Sequence, residues 1–116
     1  MMKINDIPVD LRPREKAFRF GIDSLTDQEL LALIIGSGVK GNSAMDIAND
    51  LLSTYFNSMY SLSNSNLTSL EAHVGLKRAV ALRLLAVFEF HHRLNSPLYQ
   101  KQETIKSPEE IYLRYQ

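Results

Sequence analysis

Apolar residues in this chain recur at intervals of three and four, the spacing that places them along one face of a helix. The clearest case is Ala44, Ile47, Ala48, Leu51, Leu52 and Tyr55, with Asp46, Asn49, Asp50 and Ser53 on the opposite face. Ser43 is placed to cap this helix, and Asp46 puts an acid in its first turn. Upstream, Thr26 and Glu29 have the spacing of a capping box for a helix running to Ile35, with Leu25 positioned to staple onto Leu30. Gly36-Ser37-Gly38-Val39-Lys40-Gly41 separates the two helices, and its glycines supply the positive φ angles of a tight reversal.

The plan repeats between Leu67 and Leu94, the stretch around which the rest is organised. Thr68 and Glu71 have capping-box spacing, Gly75 stops a short helix, and a long second helix follows. From Ala79 to Phe90 its only charges are Arg83 and Glu89, which predicts a core helix buried around most of its circumference. Leu25-Thr-x-x-Glu29 and Leu67-Thr-x-x-Glu71 share three residues at the same spacing, so the two helix-turn-helix units read as a pseudo-repeat. Asn57 to Asn66, rich in Ser and Asn, reads as a loop with one helical turn around Met59 to Leu62. The expected fold is all-α, a compact bundle of about five helices built from two helix-hairpin-helix-like units.

Pro8 and Pro13 keep the first twelve residues extended, and Pro13 then opens a helix from Arg14 to Phe20 that Gly21 stops. Arg12, Arg14, Lys16 and Arg19 crowd this segment and form a candidate basic patch, with Asp10 and Glu15 the nearby acids. After Leu94, Asn95-Ser96-Pro97 ends the core helix and Gln100 to Lys106 reads as a linker. Ser107-Pro108-Glu109-Glu110 is another helix start close to the final residue, as expected of a piece of a longer protein. The expected division is a helical domain over 1–95, then a linker and the start of a further domain over 96–116.

Charge narrows the functional classes. Thirteen basic and thirteen acidic residues give zero net charge with His neutral, so any nucleic-acid contact must come from a local patch and not from a whole-molecule field. Cysteine is absent, which removes disulfides and thiolate metal sites. Apolar runs fall well short of about 18 residues and the start has no signal-peptide core, so a cytoplasmic protein without a membrane partner is expected.

No catalytic constellation is apparent. His91 and His92 point about 100° apart on a helix, unlike ligands at i and i+4, and His73 is remote in sequence. Ser37 sits in a helix-turn-helix context and not at a strand-to-helix elbow, and GSGVKG lacks the Lys-Ser/Thr pair of a P-loop. Neither catalytic residues, a metal nor a cofactor is expected.

Arg12-Pro13-Arg14-Glu15-Lys16 and Leu25 to Ala44, LTDQELLALIIGSGVKGNSA, resemble the N-terminal domain of the RadC family, bacterial proteins named for a role in DNA repair. Glu89 to Leu94 and Ser107-Pro108-Glu109 also fit. The resemblance implies a helix-hairpin-helix-like domain ahead of a metalloprotease-like JAMM/MPN half, whose metal ligands would lie beyond Gln116. One departure concerns the second hairpin, Gly75-Leu76-Lys77-Arg78-Ala79-Val80. Lys77 replaces that family's second glycine and Val80 its lysine, which shifts the better contact to the first hairpin.

These readings lead to an expectation of a non-catalytic, non-sequence-specific DNA-binding module. Backbone amides of the hairpins, at Gly36, Ser37, Gly38, Gly41 and Gly75, would hold phosphates beside Lys40, Lys77 and Arg78. The alternative is an interaction domain that binds another protein, a second copy of itself or the metalloprotease-like half.

Overall fold

The computed structural model describes residues 12–99. The extended start read over 1–11, the linker from Gln100 and the helix start at Ser107 lie outside the described residues. The described residues include the α-helices α1 Pro13–Phe20, α2 Asp27–Ile35, α3 Ala44–Thr54, α4 Met59–Ser63, α5 Leu67–Glu71 and α6 Arg78–Leu94, with a 3₁₀ turn at Ile22–Ser24 after α1. The described residues contain no strand, and the fold is all-α.

Local chemistry sets the helix ends. Pro13 stands at the first turn of α1, where its missing N–H costs nothing, and Gly21 at φ 94° ends the helix with its N–H bonded to the Ala17 carbonyl. The capping box expected at Thr26 forms, and Ser43 caps α3 as expected, with Asp46 completing a second box. Thr26 Oγ1 accepts the Glu29 N–H at 3.2 Å while Glu29 Oε1 accepts the Thr26 N–H at 2.9 Å. Ser43 Oγ and Asp46 Oδ2 make the equivalent pair of bonds, each 3.1 Å.

The chain divides into two compact units, Met1–Leu85 and Ala86–Gln116. In the first, α2 packs on α3 and α1 on α2. Its core is Leu31, Ala32 and Ile35 from α2, Ile47, Ala48, Leu51 and Leu52 from α3, Leu62 from α4, Leu70 from α5, and Val80, Ala81 and Leu84 from α6. Burying each Leu or Ile contributes about 1.5–3 kcal/mol before the entropy of ordering it. In the second unit, the described residues are the last turns of α6, with Arg93 paired to Glu89 at 2.8 Å, and a further helical stretch at 97–99.

Two expectations need correction. Thr68 does not cap α5: the cap is Asn66, whose Oδ1 accepts the Ser69 N–H at 2.8 Å, and Thr68 lies inside the helix. Asn is as good an N-cap as Thr and stands earlier, and Glu71 turns to Arg78 instead, so the two matching openings are not equivalent. α6 is not buried around most of its circumference either. Burial follows the Val80, Ala81, Leu84 face, whereas Leu82, Val87, Phe90 and Leu94 are exposed, because apolar composition alone does not supply packing partners. The helical turn expected around Met59 to Leu62 forms as the short helix α4, capped by Ser58 through the Ser61 N–H.

Candidate nucleic-acid interface

The loop joining α2 to α3 is tight because its glycines play two different roles. Gly36 and Gly41 adopt φ of 82° and 83°, a region that disfavours any residue with a Cβ. Gly38 is required for space: a Cβ there would collide with the Asn42 carbonyl and lie 2.7 Å from Ser43 Cα. Between them, Val39 and Asn42 exchange two backbone hydrogen bonds of 2.9 Å each, leaving Lys40 and Gly41 as the exposed tip.

Arg12, Pro13, Arg14 and Glu15 form one wall of a cleft of about 590 Å³, which Gly36, Ser37, Gly38, Ser43 and Ala44 also line. Two sets of candidates that the sequence treats separately, the basic segment and the first hairpin, therefore meet. The start of α3, with the positive end of its helix dipole, is the third contributor. Asp46 offsets part of that field, since its buried carboxylate stands in the same first turn.

The other two basic residues of α1 are engaged elsewhere. Lys16 is largely buried and pairs with Glu29 at 3.1 Å, so it ties α1 to the start of α2 and does not join an exposed patch. Arg19 places its guanidinium 5.4 Å from the centre of the Phe20 ring. Arg14 approaches Glu15 only at 4.0 Å and is largely exposed.

At the second hairpin Gly75 takes φ 87°. A Cβ there would lie 3.2 Å from Ile47 Cγ1 and 3.3 Å from Asn42 Nδ2, so the second turn is seated against the end of the first loop and the first turns of α3. The Lys77 carbonyl accepts the first i→i−4 bond of α6, from Ala81 at 2.9 Å, which makes Lys77 the N-cap. An ammonium has no acceptor, so this side chain cannot cap the amides of Arg78, Ala79 and Val80. The four helices α2 to α5 each receive a side-chain cap; at α6 a cation stands where the cap would be. Arg78 pairs with Glu71 at 3.1 Å in a solvent-exposed contact, and Lys40 and Lys77 are exposed.

The sequence misses Asn42, Ser43 and Ala44 as parts of this surface. Asn42 has no chemical signature by itself, and Ser43 reads as a cap, which it is. Among the described residues, no three His, Asp or Glu side chains cluster in a way that could hold a metal ion. No helix among them is long and apolar enough to cross a membrane.

An all-α core carrying two adjoining glycine turns, with basic residues beside each, defines a small helical-hairpin module. The family model described as UPF0758 N-terminal matches residues 4–82, and the chain belongs to that family. It is similar to a UPF0758 protein of Aliivibrio salmonicida, at 38% identity over 108 residues covering 93% of this chain and 48% of the relative. A UPF0758 protein of Stutzerimonas stutzeri is 37% identical over 110 residues, 95% of this chain and 49% of the relative. One from Bacillus licheniformis is 33% identical over 109 residues, 94% and 48% respectively. The chain thus spans about half the length of the curated relatives it matches. No solved structure matches it.

Proposed function

We propose that this chain is a non-catalytic DNA-binding module of a RadC-type protein, holding phosphates without reading bases. The observation that carries the reading is the start of α6, where Lys77 occupies the N-cap and three backbone amides follow it without a side-chain acceptor at the cap. An anionic oxygen complements that arrangement through both the amides and the helix dipole. The seating of Gly75 against Asn42 adds the first hairpin, with Lys40 at its tip, to the same neighbourhood. Zero net charge sets a modest affinity, since few phosphates are neutralised.

The test is fluorescence anisotropy with labelled DNA at two salt concentrations, comparing the chain with a Lys40→Ala, Lys77→Ala, Arg78→Ala variant. Salt-sensitive binding that the variant loses supports phosphate contacts at the hairpins; binding that the variant keeps refutes them.

A second reading, an interaction domain, is favoured by a different feature. Val87, Phe90 and Leu94 follow one another at intervals of three and four along α6, and all are exposed. Such a face suits a second copy of the chain or the metalloprotease-like half of a RadC-type protein. Sedimentation of the chain alone, and with Phe90→Ser, tests self-association directly.

A further inference from the structure

The most exposed aromatic residue of α1 is Phe18, with 84% of its surface in solvent; Phe20 follows at 56% and Ile22, in the 3₁₀ turn, at 58%. A ring so far outside the core contributes little to folding. Phe20 stands about 200° further round α1, on the side of Lys16, and Ile22 lies past the Gly21 break. The charged neighbours distinguish this face from an ordinary apolar patch. Arg14 is four residues before Phe18 and shares its side of the helix, about 6 Å away along the axis. Arg14 also lines the cleft formed with Gly36, Ser37, Gly38, Ser43 and Ala44. Arg19 lies over the Phe20 ring.

Guanidinium groups and amides beside solvated phenyl rings are the two halves of a single-strand binding surface. The cations take the backbone, and the rings take the faces of bases that have no partner to stack on. In an intact duplex those faces are covered, and only phosphates are offered. Stacking also supplies affinity that does not depend on the protein's field, which suits a chain of zero net charge.

We propose that Phe18 forms a stacking platform for unpaired nucleobases beside the Arg14 cleft, so that the module prefers DNA with single-stranded character. The proposal rests on the DNA-binding reading above and specifies its substrate class. The preference is tolerant of sequence, because every base has a π-face.

The experiment measures anisotropy of a labelled oligothymidine and of a labelled duplex with the whole 116-residue chain. The same titrations follow with a Phe18→Ala variant, Phe18→Tyr as the conservative control, and the Lys40→Ala, Lys77→Ala, Arg78→Ala variant. Far-UV circular dichroism melts verify that each variant is folded. The expected result is tighter binding of the single strand, weakened about tenfold or more in the phenylalanine variant, with duplex binding changed less than about twofold and Phe18→Tyr behaving as the parent. Equal weakening on both DNAs, or none on the single strand, overturns the platform while leaving hairpin phosphate binding intact. Absence of binding to either DNA overturns both readings. A phenylalanine variant that turns a dimer into a monomer, with unchanged affinity for DNA, assigns the face to self-association and also overturns the proposal.

Discussion

Lys16 Nζ donates to Glu29 Oε1 at 3.1 Å, and the same oxygen accepts the Thr26 N–H at 2.9 Å. One carboxylate therefore both closes the first turn of α2 and fastens α1 to it. Burial pushes the Glu29 pKa up, but the Thr26 amide, the Lys16 ammonium and the Thr26 hydroxyl together outweigh it, and the pKa lies below the ordinary value.

A lowered folded-state pKa gives stability that is complete above the unfolded-state value, near pH 4.5, and that fades as pH falls through the folded-state value. Glu29→Gln is expected to cost about 1 kcal/mol in urea unfolding at pH 7, because the charged partner of Lys16 is lost while the amide oxygen can still cap. At about pH 3 the difference between variant and parent should shrink. A penalty independent of pH would show that shape, and not charge, makes the contact.

The glycine turns predict an order of sensitivity. Gly36→Ala meets no atom within 4 Å and carries only the backbone strain of φ 82° with ψ −85°, about 1–3 kcal/mol. Gly75→Ala adds to its own positive-φ strain the crowding against Ile47 and Asn42, for about 2–4 kcal/mol in total. Gly38→Ala strikes backbone at Asn42 and Ser43, which cannot move independently of the loop, and is expected to be the most damaging. Thermal unfolding of the three variants measures the order; equal losses would contradict the two roles assigned to these glycines.

At α5 the prediction separates two neighbouring candidates. Asn66→Ala removes the cap of the Ser69 amide and should cost about 1 kcal/mol, whereas Thr68→Ala should change stability by less than about 0.5 kcal/mol. Urea midpoints of the two variants decide it, and the reverse order would restore Thr68 as the functional cap.

That pair also shows what sequence patterns convey. Thr26 with Glu29, and Ser43 as a cap, are legible because they come just before a long periodic helix; that Asp46 closes a second box with Ser43 shows only in the fold. Thr68 with Glu71 has the same letters, yet Asn66 stands two residues earlier and Arg78 competes for the acid, which only the folded chain reveals. The all-α class and the ends of α1, α2, α3 and α6 follow from Pro, Gly and apolar spacing. How α6 is buried does not, since Phe90 and Leu84 look alike in composition but only Leu84 has the core around it. Among the candidate site residues, Arg12 and Arg14 come together with Gly36, Ser37 and Gly38, and Gly75 is seated near Asn42; both are long-range meetings that no local motif encodes. Lys16 reads as part of a basic patch because its acid partner lies 13 residues away.

The most direct test of the account is the salt-dependent titration of labelled DNA with the chain and its Lys40→Ala, Lys77→Ala, Arg78→Ala variant. The account predicts binding in the range of ~1–100 micromolar at low salt that weakens as salt rises and is lost in the variant. Binding absent throughout that range at low salt, or equal in the variant, would contradict it and turn attention to the exposed face of Val87, Phe90 and Leu94.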